Sequence, residues 1–344
     1  MKDSRLVQLY KKLEEKGLGA LLITNPHNVF YLINRWVEGW ILLAPSGKFF
    51  ITSPLFGEEV KKEVDDWQII IWKNHIEKTL DKLLRNLGIK KLGFEASSLS
   101  YAEYQKLSEL KVSQLVPCEG LVEELRVIKD EDELSSIRRA VQITNLAFAH
   151  LENLLKVGIT EKEVSIEAAH FFRKKADKEA FPSIVLFGER TSLPHGKPTQ
   201  RRLREGELVL LDIGAQVEGY CADLTRTIFF GEVDRRWQEI RSMLIQAQEE
   251  ALREIKPGVK SSQIDKWVRD RVKKSGYLNA FIHNTGHGVG LEVHENPVIA
   301  PKSREVLKEG MVFTIEPGVY LAGEGGVRVE RMAMVTPEGG RILE

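Results

Sequence analysis

Asp212 and Asp223 stand 11 residues apart in EGELVLLDIGAQVEGYCADLTRTIFFG, and Glu316 and Glu330 stand 14 apart in GMVFTIEPGVYLAGEGGVRVERMAMV. A hairpin of 208–213 with 220–229, centred between Val217 and Glu218, pairs residues whose numbers sum to 435, so 212 faces 223. A hairpin centred on Gly323 pairs residues summing to 646, so 316 faces 330. Cross-strand partners have Cβ atoms roughly 4.5–5.5 Å apart, and like charges there repel. Something cationic has to hold them. Taken singly, acids are solvated surface groups, and a chain with 50 of them allows coincidence. Yet Asp212 follows LVLL and Glu316 ends VFTIE, apolar settings in which an unpaired carboxylate is costly. An oxygen-rich metal site answers both observations.

Between these segments lies HNTGHGVGLEVHENP, with His283, His287 and His294 inside twelve residues and Gly286, Gly288 and Gly290 allowing close backbone approach. A seven-residue gap does not put His287 and His294 on one face of a regular strand, so they differ in role or the chain bends between them. His283 reads as structural. His195, in SLPHGKP, reads by itself as a surface residue, and Arg328 as a salt-bridge partner.

The elements that must position these groups fall in two parts. Residues 1–125 alternate helix and short buried strand: an opening amphipathic helix, GALLITNP, WILLAPSGKFFITS with a Pro-Ser-Gly turn, DWQIIIW, a helix over 77–87, and KKLGFEA. This is an α/β layer pattern. From about 126 to 344 the order is a long helix capped by Asp130 or Asp132, a helix over 160–175, strands over 208–230, helices over 236–255 and 261–276, then strands again. Helices followed by strands, twice over, predict an α+β domain of two similar halves.

With 42% hydrophobic residues the chain folds around a sizeable core, and 50 basic against 50 acidic residues give a formal net charge of +0. That balance excludes general attraction to nucleic acid or an anionic membrane. Two cysteines, Cys118 and Cys221, make no disulfide framework, and no apolar run reaches the roughly 18 residues of a membrane span. The expectation is a cytoplasmic protein.

At these residues the chain resembles the pita-bread metallopeptidases that act on Xaa-Pro bonds, the Xaa-Pro aminopeptidases and prolidases. The resemblance covers nearly the whole chain: a smaller N-terminal α/β domain of the creatinase/prolidase type, ending at LRVIKDEDE, and a catalytic pita-bread domain. Its five-ligand pattern is present in order: Asp212 in LLDIGA, Asp223 in CADLTRT, His287 in TGHGVG, Glu316 in TIEPG and Glu330 in VRVER. His195, His294 in EVHENP and Arg328 match positions beside the ligands. Arg331 and the stretch VFYLINRWVEGW depart from the usual pattern, and Val298 stands where prolidases often carry an arginine that meets a dipeptide's carboxylate.

The resemblance implies two divalent ions, Mn²⁺ or Co²⁺ with Zn²⁺ kept open, which together activate a shared water. It implies that Asp223 and Glu330 are shared between the ions and that Glu316 is also the general base. His195 would serve the oxyanion or the leaving nitrogen, His294 would hold the residues around the scissile bond, and Arg328 would orient a shared carboxylate. The reading is an Xaa-Pro aminopeptidase acting on peptides with proline second, working as a homodimer. The alternative is a prolidase confined to dipeptides, and more remote is a pita-bread member used for binding or non-peptidase chemistry.

Overall fold

The computed structural model describes residues 2–64, 66–112 and 114–343; Met1 and Glu344, the outer limits of the two expected domains, lie outside them. The chain forms two compact units, Met1–Arg126 and Val127–Glu344.

In the first unit, the strands Ala20–Ile23, Trp40–Ala44, Gly47–Thr52, Gln68–Ile71, Lys91–Glu95 and Gln114–Cys118 form one mixed six-stranded sheet. Its central strand, ALLI, is buried along its whole length, as a strand covered on both faces must be. The helix Ile76–Asn86 follows the 3.6-residue period and buries Leu80 and Leu84 among Leu22, Phe49, Ile51 and Leu92. This is the α/β layer that the alternating pattern predicts.

The second unit runs through the helices Glu131–Glu152 and Glu161–Lys175, strands from Lys178–Glu179 to Leu224–Phe230, the helices Arg235–Glu254 and Ser261–Lys274, and strands from Gly286–Gly288 to Gly339–Ile342. Two passes of helix pair then strands are what the sequence pattern predicts. The first helix starts at Asp130, whose carboxylate accepts from the Glu133 amide at 3.0 Å while Glu133 accepts from the Asp130 amide at 2.9 Å. Thr160 and Glu163 repeat this reciprocal cap on the next helix. The first pass leaves a sheet ordered Leu224–Phe230, Glu207–Ile213, Ile184–Phe187. The second leaves a five-stranded sheet with Val312–Ile315 at its centre. The passes join where the Glu330 amide donates to Thr225 O at 3.1 Å and Thr227 Oγ1 donates to Arg328 O at 2.9 Å.

The two hairpins differ in how well their registers were anticipated. The Gly318–Leu321 and Gly325–Arg328 strands pair with sums of 646 around Gly323, and Val312–Ile315 with Arg331–Thr336 continue the same register. Glu316 and Glu330 fall opposite one another between these two stretches, as expected. In the other hairpin the sum is 437, not 435: Asp212 faces Thr225 and Gln216 faces Cys221. The cause is a two-residue turn at Glu218 and Gly219, whose φ values of 51° and 84° are those of a type I′ turn. Asp223 then lies opposite Gly214, diagonal to Asp212 on one face.

Gly214 is needed there. A Cβ on it would sit 1.9 Å from Ala222 O, a backbone atom that cannot swing away. Gly214→Ala is expected to cost about 3 kcal/mol, the upper range for overpacking, read as a lower denaturant midpoint. An unchanged midpoint would contradict this account of how the two aspartates are brought together.

Candidate metal centre

Asp212 is the penultimate residue of the strand Glu207–Ile213, and Asp223 sits just before Leu224–Phe230; Glu316 and Glu330 occupy the breaks between paired strands. Such breaks let a side chain leave the alternating face pattern without disrupting the flanking ladder. His287 lies in the short strand Gly286–Gly288. One ligand atom from each of Asp212, Asp223 and Glu330 lies within 4.8 Å of the others, and the same holds for His287, Glu316 and Glu330. Glu330 is common to both groups. The five residues expected as ligands therefore converge.

His294 converges as well. Its ring centroid is 4.2 Å from that of His287, and it forms a third group with Asp223 and His287. The contact across seven residues arises from a register shift between His287 and Gly288, where His287 pairs with Val298 but Gly288 with Glu295. The bend left open by the sequence is thus a β-bulge followed by the turn 289–294. His195 is exposed on the loop after the strand Ile184–Phe187, near enough to His283 and His294 to help disfavour their protonated forms.

The electrostatics call for cations. Burial, and then repulsion from the neighbouring carboxylates, hold Asp223 and Glu330 well above the usual carboxylate range. Burial pushes Glu316 up to about 8. Burial, and then His294, lower His287 to about 4, so its imidazole is neutral at pH 7. Its Nδ1 lies 3.2 Å from Gly288 O and takes the proton as donor, which leaves the Nε2 lone pair facing Glu316 Oε1 at 3.4 Å and Asp223 Oδ2 at 3.6 Å. Three such ligand atoms aimed at one another are held together by protons on the carboxyls or by a shared cation that replaces those protons. Asp212 Oδ1 is buried with no hydrogen-bond partner, as suits an oxygen that would face a cation. Oxygen-dominated donors with one imidazole suit hard to borderline divalent ions. The residues fit the group.

Arg328 departs from its expected role of orienting Asp223 or Glu330. Its NH2 donates to Asp212 Oδ2 at 2.5 Å, and it reaches Glu330 only through Thr225, to which its Nε donates at 3.0 Å and which donates to Glu330 Oε2 at 2.6 Å. The cause is the 437 register, which sets Thr225 opposite Asp212 and so between the arginine and Glu330. Arg328 NH1 also donates to Tyr320 Oη at 2.9 Å and Pro194 O at 3.2 Å. His283 Nδ1 donates to Asn284 O at 2.7 Å, so Tyr320 Oη donates to His283 Nε2 at 2.9 Å. Sequence reasoning passed over Thr225 and Tyr320. The usable signals were their places two residues after Asp223 and four after Glu316.

A pH dependence follows. A carboxyl whose pKa rises on folding stabilises the metal-free fold below its unfolded value near 4.5. It loses that contribution as pH rises through its folded value, about 8 for Glu316. Bound divalent ions replace those protons. The gap in melting temperature between metal-loaded and chelator-treated protein is expected to widen from pH 5 to pH 8 in calorimetry, and a gap independent of pH would contradict this.

Comparison with known proteins agrees with this geometry. The pattern of the Creatinase/Prolidase N-terminal domain matches residues 5–128, and that of Metallopeptidase family M24 matches residues 135–337. An Xaa-Pro dipeptidase of Pyrococcus furiosus is 33% identical over 98% of this chain and 97% of its own. The solved structure of an Xaa-Pro dipeptidase from Bacillus anthracis superposes with a TM-score of 0.97 at 37% identity, covering 100% of this chain and 97% of that one. An X-Pro aminopeptidase structure from Thermotoga maritima superposes at 0.89 with 32% identity, covering 95% of each. No described helix is long and apolar enough to cross a membrane. The fold is therefore the pita-bread type with a creatinase/prolidase N-terminal domain, and the chain belongs to metallopeptidase family M24, whose members use divalent metal ions to hydrolyse peptides.

Proposed function

We propose that this metallopeptidase cleaves the bond between a residue and a following proline, and that its substrates are Xaa-Pro dipeptides. The observation that carries the peptidase chemistry is the convergence of the unprotonated His287 Nε2 with Asp223 and Glu316 beside the orphaned Asp212 Oδ1. The dipeptide preference rests on similarity along the full length to proteins named Xaa-Pro dipeptidase. This reverses the preference for an aminopeptidase drawn from the sequence.

Asp212, Asp223, His287, Glu316 and Glu330 would hold the ions, Mn²⁺ or Co²⁺ with Zn²⁺ also compatible, and Asp223 and Glu330 would be the shared ligands. Bound there, divalent ions supply Lewis acidity and a water that ionises near neutral pH. Glu316 would take the proton of the attacking water, the general-base role that the family resemblance implies for this position. His195, exposed on its loop, delivers a proton to the proline nitrogen or donates to the developing oxyanion. His294, its ring tilted against that of His287, holds the residues around the scissile bond. Arg328 fixes Asp212 directly and Glu330 through Thr225. We further propose a cytoplasmic homodimer, as the family resemblance implies.

The aminopeptidase reading keeps one observation in its favour. Val298, paired with His287, is apolar where a cation would meet a dipeptide's carboxylate. Comparing hydrolysis of Ala-Pro with Ala-Pro-Ala decides the matter. Turnover of the dipeptide and none of the tripeptide is expected, and efficient release of Ala from the tripeptide would restore the aminopeptidase.

A further inference from the structure

We infer that Glu161 is a positioning residue for the proposed reaction, closing the loop that presents His195; the inference rests on the proposed peptidase function. Glu161 opens the helix Glu161–Lys175 and is fully buried, 0% exposed. An unpaired carboxylate there would be costly, and it is compensated by donors from both ends of one loop. Its Oε1 accepts from the Phe187 amide at 3.0 Å and Arg190 Nε at 3.0 Å. Its Oε2 accepts from the Thr199 amide at 2.9 Å and Thr199 Oγ1 at 2.7 Å. Arg190 adds a cross-brace by donating from NH2 to Lys197 O at 2.7 Å. One carboxylate thus closes the loop between residues 187 and 199.

The loop it closes is seated against the centre at its middle. Pro194 O accepts from Arg328 NH1, and Thr191 Oγ1 accepts from the Gly326 amide at 2.8 Å, so the residue before His195 is held by the same arginine that holds Asp212. His195 itself is exposed, and its placement depends on the loop rather than on packing of its own ring. Loosening the ends lets the imidazole wander from the place where the proline nitrogen is released, while the five candidate ligands, on other elements, stay put.

The test is a double-mutant cycle. Glu161→Gln replaces an acceptor with a donor and removes the charge facing Arg190. It is expected to lower kcat on Ala-Pro by about ten- to a hundredfold, since a displacement on the order of 1 Å in a catalytic group has effects of that size. KM and bound metal should stay at wild-type values. In a His195→Ala background the same change should cost nothing further, because both act through one imidazole. Equal losses in both backgrounds would show an effect through general stability and overturn the inference, as would wild-type kcat in Glu161→Gln. Hydrogen exchange of the amides of residues 188–199 should be faster in Glu161→Gln, and unchanged exchange would also overturn it. If Glu161→Gln does not fold, Thr199→Val, which removes one of the hydrogen bonds, enters the same cycle. If the wild-type protein does not hydrolyse Ala-Pro at all, the proposed function fails by itself, and the exchange measurement still decides whether Glu161 tethers the loop.

Discussion

Asp223→Ala is expected to reduce kcat/KM by about a thousandfold or more, since loss of metal assistance removes several kcal/mol of transition-state stabilisation. Asp223 is 5% exposed and belongs to two of the three clusters of candidate ligand atoms, with Asp212 and Glu330 on one side and His287 with His294 on the other. Glu330 also belongs to two clusters, and among the described residues the variant leaves it as the one carboxylate grouped with both Asp212 and His287. The variant should also bind less metal per chain, by elemental analysis after dialysis against Mn²⁺. Its metal-free form should not be destabilised, because a carboxyl held well above its usual range contributes nothing favourable as an anion. Substantial turnover with wild-type metal content would refute the assignment.

Arg328→Met is expected to act in the opposite sense on the metal-free protein, costing about 3–5 kcal/mol by leaving Asp212 buried without its partner. Arg328 is 3% exposed and donates to Asp212, Thr225, Tyr320 and Pro194, so four connections fail together. Metal should recover part of the loss by meeting the freed Asp212 oxygen, so the variant should gain more melting temperature from Mn²⁺ than wild type does. Activity should fall even when metal is restored, because Glu330 and the His195 loop have lost their common support. A variant as stable as wild type without metal, by denaturant titration, would contradict the arginine's role.

The contrast between these substitutions shows how the centre is built. Carboxylates are crowded past what one arginine neutralises, and the strain is tolerated because the backbone around them is held rigidly by two strand registers. In the metal-free fold protons on Glu316 and its neighbours offset the crowding, and bound cations would take their place.

Much of this was legible from residue spacing, for identifiable reasons. Glu316 and Glu330 could be set opposite one another because AGEGG marks its own turn, and the two halves could be read from helix and strand periods. Asp212 and Asp223 were paired two residues out of register because VEGY was not recognised as a type I′ turn, although Gly219 is the residue that such a turn demands. The approach of His294 to His287 depends on a bulge, and a bulge leaves no mark in composition. Thr225, Tyr320 and Glu161 are ordinary residues whose meaning comes from partners far along the chain, such as Glu330, His283 and Thr199. The family pattern singles out Arg328, but its direct hydrogen-bond partner, Asp212, follows from the 437 register.

The most direct test is a titration of divalent metal into chelator-treated protein, with hydrolysis of Ala-Pro followed at each step. The account predicts no turnover without metal, and a rise that reaches its plateau at about two ions of Mn²⁺ or Co²⁺ per chain, as a two-metal centre requires. Hydrolysis by the stripped protein, or none at any metal load, would contradict it.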